Sequence, residues 1–131
     1  MNSPEEAVIM ICNGEYTFRK GKKGDKPSTG WLNQNDVPNF ILEFRGKQIG
    51  AAHTKGCGWH IFLIETWDWD KGHGTKFVEL WEKYAKNERY QRLIVSEVAS
   101  DRLEHILECK RGFFLKDIDE YGEKIYQKNI S

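Results

Sequence analysis

The chain has 131 residues, of which 20 are basic and 20 acidic, for a formal charge of zero. That balance gives no electrostatic footprint for nucleic acid, and no run of about 18 apolar residues offers a membrane span. The length fits one domain over 1–131 with a core of its own. Cys12, Cys57 and Cys109 are widely spaced, and the start Met-Asn-Ser-Pro-Glu-Glu lacks a basic leader, so a reducing, cytoplasmic setting is expected.

Residues 6–12 form a short apolar run, and Asn13-Gly14 is a hairpin turn leading to a partner strand over 15–19. From Lys20 to Pro38 the composition turns to Lys, Gly, Asp, Pro, Ser and Asn, with Trp31-Leu32 the one apolar pair. That segment reads as a long loop pinned by Trp31. Residues 39–45 and 47–53 read as a second hairpin around Arg45-Gly46. A turn over 54–58 then feeds a strand from Trp59 to Trp67 that is apolar on both parities, the mark of a central strand covered on both sides.

The stretch Asp70-Lys71-Gly72-His73-Gly74-Thr75-Lys76 follows. It sits between that strand and an amphipathic segment, Phe77 to Lys86, with Phe77, Leu80, Trp81 and Tyr84 at helical spacing. Strand, glycine turn and helix together favour a phosphate: glycines admit a ligand close to the backbone, and the first helical turn offers unpaired N–H groups and the positive dipole end. A plain tight turn is the alternative reading. A P-loop is excluded, since no Gly-x-x-x-x-Gly-Lys-Ser/Thr occurs, and Phe77 stands where the dinucleotide fingerprint needs a third small residue. Arg92 to Val98 is another strand. Ser100 opens a second helix in which Asp101 and Glu104 have capping-box spacing, ending near Arg111-Gly112. Strands over 113–118 and 124–127 close the chain. The second half thus runs β–α–β–α–β(–β) on a first half of hairpins, an α/β sandwich on a mixed sheet.

The glycine stretch resembles the cofactor loop of the GNAT superfamily of acyl-CoA N-acyltransferases, Arg/Gln-x-x-Gly-x-Gly/Ala. Gly72 and Gly74 fit, and Trp69 stands at the leading position. The window 101–113 is similar to the family's Asn-x-x-Ala-x-x-Leu-Tyr-Glu-Lys-x-Gly-Phe: Leu107, Lys110, Gly112 and Phe113 match, while Asp101, Glu104 and Glu108 replace Asn, Ala and Tyr. The resemblance covers residues 40–120 as an acyl-CoA-binding core, with 1–39 a variable hairpin and loop. It implies a mostly antiparallel α+β sheet with helices on both faces, a splayed central strand, and N-terminal helices reduced to a loop.

The same resemblance implies roles. Backbone groups at Phe62, Leu63 and Ile64 would hydrogen-bond the pantetheine of acetyl-CoA beside a bulge. The N–H groups of Asp70, Lys71, Gly72, His73, Gly74 and Thr75 would hold the pyrophosphate. Asp101 either touches the pantetheine or caps its helix. Direct transfer to an amine needs an oxyanion donor, a base for the ammonium proton and a proton for the thiolate. Glu65 and Glu97 are the candidate bases, each equally readable as a solvent-facing strand residue. Glu108 replaces the usual phenol and donates only if burial keeps it protonated; otherwise it is a solvated helix residue. Tyr121 and Tyr126 are alternative phenols.

Without apolar stripes in 13–39 for the family's acceptor-side helices, either the loop builds the acceptor pocket or the cleft is open; an open cleft suits a protein or peptide lysine better than a small amine, with Trp59, Trp67 and Trp69 as candidate walls. His53, Cys57 and His60 have ligand chemistry but lack a fourth partner, so no metal is expected. Cys109 with His105 lacks the rest of a nucleophile's machinery. The expectation is an acetyl-CoA-dependent N-acetyltransferase, with a homodimer possible and with neither nucleic acid nor membrane as partner. The alternative is a catalytically weak or inactive acyl-CoA-binding or protein-interaction module on the same fold.

Overall fold

In the computed structural model, which describes residues 10–68 and 71–130, eight strands form one sheet. They are β1 (Ile11–Asn13), β2 (Tyr16–Lys20), β3 (Phe40–Phe44), β4 (Lys47–Thr54), β5 (His60–Thr66), β6 (Arg92–Val98), β7 (Phe114–Ile118) and β8 (Lys124–Asn129). Their order is β1-β2-β3-β4-β5-β6-β8-β7, antiparallel except where β5 meets β6. The first four strands are two hairpins, as the Asn13-Gly14 and Arg45-Gly46 turns require. The front of the expected strand over 6–12 lies outside the described residues.

Helix α1 (His73–Asn87) crosses from β5 to β6, and α2 (Asp101–His105) runs on into a π-helical turn, Ile106–Lys110. The α1 stripe packs Phe77, Trp81 and Tyr84 against Phe18, Ala52, Ile61 and Val95 of the sheet, and Leu107 joins the same cluster. Burial of one such aromatic is worth about 2–3 kcal/mol. Glu82, buried on α1, accepts from Arg111 Nε at 2.7 Å and Lys128 Nζ at 2.7 Å, tying the helix to the end of the π turn and to β8.

Strand alternation sends His53 and Glu65 to the other face, where the loop 21–38 lies: Ser28 N–H donates to His53 Nε2 at 3.2 Å, and Thr29 N–H donates to Glu65 Oε1 at 2.9 Å. Where the resemblance puts helices on both faces, this chain carries both helices on one core and a loop on the other side. The loop has no apolar stripe with which to build a helix.

Two boundaries differ from the sequence reading. Helix α1 begins at His73 rather than Phe77, because Gly72 sits at φ 79 and turns the chain into it. The cap of α2 is Ser100, whose hydroxyl accepts from Leu103 N–H at 3.3 Å. Asp101 is therefore inside the first turn, and Glu104 pairs with Lys124 instead of closing a capping box.

The feature that positions the site is the short β5–β6 ladder, with rungs only at His60↔Ile94 and Ile61↔Val95. Just past those rungs each strand carries a bulge. On β5 the register against β4 jumps from Leu63 to Ile61, leaving Phe62 as the extra residue. On β6 the register against β8 jumps between Val95 and Val98, and Glu97 there sits at φ 58. Bulges bend a strand and add twist, so two at the same height part the strands into a slot.

Candidate functional site

The slot is a cavity of about 430 Å³ lined by Phe62, Leu63, Ile64 and Glu65 on one side and by Glu97 and Ser100 on the other. Past Ile61 the edge of β5 toward β6 carries no ladder pairing, which leaves a row of backbone groups able to receive an extended ligand as an added strand. Phe62, Leu63 and Ile64 are thus brought to one wall, with the bulge at its inner end.

The slot opens into a groove of about 400 Å³ that shares Thr66, Gly74, Arg102 and Ile106 with it. One wall of the groove is the start of α1: Gly72, His73, Gly74 and Thr75. The helix has neither a side-chain cap nor an acidic residue in its first turn, so its first N–H groups and its dipole are open to an anion. Gly74 faces the Ile106 side chain of the π turn: an added Cβ would lie 2.8 Å from its Cδ1, which would have to turn aside. The other wall supplies Arg102, His105 and Lys110. These basic residues were not singled out as ligands from sequence. Their signal was the i, i+3 spacing of Arg102 and His105 on the helix opposite the glycine turn.

The remaining expected cofactor residues are distributed as follows. Asp70 and Trp69 lie outside the described residues. Lys71 is exposed and is not among the residues lining either cavity. His73 is 5% exposed, its Nδ1 2.7 Å from the Tyr16 hydroxyl and its ring against Phe44, so β2 and β3 fix the first residue of α1. Asp101 lines the groove at the α1 end, alongside His105 and Lys110, rather than the slot.

The three candidate carboxylates separate clearly. Glu65 lines the slot, but its carboxylate accepts from Thr29 N–H, from the Thr29 hydroxyl at 2.7 Å and from Trp67 Nε1 at 2.5 Å. It docks the loop. Glu108 is exposed on the π turn and accepts from the Tyr126 hydroxyl at 2.7 Å. It is not among the residues lining the slot, and Tyr126 is fully buried with its phenol pushed up by burial and by the Glu108 bond. Tyr121 is 80% exposed. Glu97 stands at the mouth of the slot, with Oε2 2.8 Å from Lys55 Nζ.

On the loop side, Trp31 stacks on His53 with centroids 4.6 Å apart and planes at 16°, and tilts against Phe62 at 5.6 Å. Burial holds the His53 imidazole below its ordinary pKa against the pull of Asp36 and Glu65. His60 is lowered by burial and by Lys55, and its Nε2 is 2.7 Å from Ser96 Oγ, a clasp across the last β5–β6 rung. Trp59 stacks on His60 beneath Arg92. His53 and His60 thus spend their Nε2 atoms on protein partners. Among the described residues no group of three or more His, Cys, Asp or Glu could hold a metal ion.

No protein-family model and no curated protein matches the chain. Solved structures do, among them acetyltransferases of the GNAT family. A GCN5-related N-acetyltransferase from Rhodopseudomonas palustris is 24% identical with a TM-score of 0.54, the match covering 69% of this chain and 59% of that one. This chain therefore spans less than two thirds of that protein's length. A GNAT family acetyltransferase from Elizabethkingia anophelis with acetyl-CoA bound is 15% identical with a TM-score of 0.62, covering 89% of this chain and 99% of that one. An acetyltransferase of the GNAT family from Streptococcus pneumoniae is 17% identical with a TM-score of 0.55, covering 76% and 70%.

Proposed function

We propose that this chain, which has the GNAT fold, moves an acetyl group from acetyl-CoA directly to a primary amine. The observation that carries the reading is the continuity of two features: an unpaired strand edge beside paired bulges, and an uncapped helix start at the end of the same groove. One suits the amide groups of a pantetheine arm and the other a pyrophosphate. Gly72 to Thr75, with Arg102, His105 and Lys110 opposite, would hold the phosphates. Phe62, Leu63 and Ile64 would hold the arm, placing the thioester at the bulge.

There a backbone N–H of the bulged strand stabilises the oxyanion as a preorganised donor. Glu97 takes the ammonium proton, the neutral amine attacks the carbonyl carbon, and the C–S bond breaks as the second N–H proton passes to the departing thiolate. A thiolate is far less basic than an amine anion and leaves without a protein acid beside it, which fits a slot that Glu108 and Tyr126 do not line. The same placement of Glu108 and Tyr126 favours the second reading, a module that binds acyl-CoA without turnover. The acceptor enters on the loop side between Phe62 and Glu97, where an open wall suits a lysine side chain or a small amine.

Thiol release from acetyl-CoA over a panel of amines and lysine peptides tests this. Wild type should release CoA over repeated turnovers only when an amine is added, and Glu97→Gln should slow that release about 100-fold with acetyl-CoA affinity retained. Binding without amine-dependent release would leave the second reading in place.

A further inference from the structure

Lys55 lies in the turn between β4 and β5, and its backbone N–H donates to His60 O at 2.9 Å, which fixes its Cα at the root of β5. From there its side chain reaches the acceptor side of the slot. Nζ is 2.8 Å from Glu97 Oε2 and 5.3 Å from the centroid of the Phe62 ring, the bulge residue. Glu97 Oε2 is itself shielded from solvent and has no hydrogen bond of good geometry among the described residues. It is a carboxylate oxygen that faces an amine at ion-pair distance. Other ion-paired lysines sit on carboxylates away from the slot: Lys76 and Lys83 on Glu79, Lys124 on Glu104, Lys128 on Glu82. An ammonium held between an aromatic face and a carboxylate is what an amine acceptor would look like in this cleft. The chain supplies one of its own.

We infer that Lys55 is an acceptor of the acetyl group in cis, so that the protein acetylates itself at this residue. The inference rests on the acetyltransferase reading above. Lys55 gives one ammonium proton to Glu97, and neutral Nζ attacks the thioester carbonyl. Loss of a second N–H proton accompanies C–S cleavage, and the CoA thiolate takes that proton. The products are Nζ-acetyllysine and CoA, with the Glu97 proton passing to solvent. The side chain is 48% exposed, so it is free to swing from the ring face toward the carbonyl. Acetylation removes the charge that pairs with Glu97 and frees that carboxylate for an incoming amine. Lys55 is then a plug that the first turnover withdraws.

Incubation of the wild-type chain with acetyl-CoA, followed by peptide mass spectrometry, reads the result site by site. The expected outcome is acetyl at Lys55 ahead of exposed Lys47, at a first-order rate unaffected by diluting the protein, and slowed at least about tenfold in Glu97→Gln. Lys55→Arg identifies the site by removing that label. Acetylation of Lys55 no faster than Lys47, in a protein that still releases thiol to external amines, would overturn the inference and leave the function standing. Absence of both labelling and release would remove the acetyltransferase reading, and this inference with it.

Discussion

At Glu97 the backbone holds a non-glycine residue at φ 58, in the left-handed region, within a strand. That conformation costs roughly 1–2 kcal/mol for an L-residue, and such costs gather where function needs a side chain re-aimed. Here the result is a carboxylate turned to the mouth of the slot and to Lys55. The ion pair itself is half-exposed and adds little stability. Glu97→Gly should therefore raise stability by about 1 kcal/mol while removing the proposed base, measured as a higher urea midpoint with amine acetylation lost. A lower midpoint would mean that Glu97 relieves no strain by leaving. From sequence Glu97 reads as one of two candidate bases, equal in standing to Glu65. The positive φ and the β6 bulge that distinguish it from Glu65 arise where β6 pairs with β8, which no local pattern encodes.

The loop 21–38 behaves as an element, although it contains neither helix nor strand. Its latch is chemical: Ser28 N–H on His53 Nε2, Thr29 on Glu65, and Trp31 stacked on His53. A ring nitrogen that accepts a hydrogen bond must be unprotonated. Burial lowers the His53 pKa, so the latch is fully present above the ordinary value near 6.5 and is lost as pH falls from there through the folded-state value. Asp36 and Glu65 pull the other way and narrow that window. Hydrogen-exchange protection at Ser28 should fall between about pH 7.5 and 5.5, on either side of 6.5, while α1 keeps its protection. Equal protection at both would show that His53 does not hold the loop. Trp31 as the pin was legible in the sequence, as the one aromatic in a polar stretch. Its partners were not, because His53, Phe62 and Glu65 lie far along the chain and meet it only once β4 and β5 pair.

Over the whole molecule, the hairpins, the central strand, α1 and the late strands were readable from turns and periodicity, which act locally. The splay between β5 and β6 was not readable from periodicity. It comes from two bulges, one set by β4 and the other by β8, and it was expected only through the family resemblance. The basic wall of Arg102, His105 and Lys110 needed the packing of the π turn against the start of α1, where Ile106 meets Gly74. Slot, groove and glycine turn make one path whose far end is that glycine. Titration calorimetry of acetyl-CoA into wild type and Gly74→Trp tests the path directly, with thermal unfolding to verify that the variant folds. Wild type should bind in the micromolar range, about −8 kcal/mol, and the folded variant should not bind. Equal binding by both would contradict a pyrophosphate at the start of α1, and no binding by wild type would contradict the acyl-CoA site altogether.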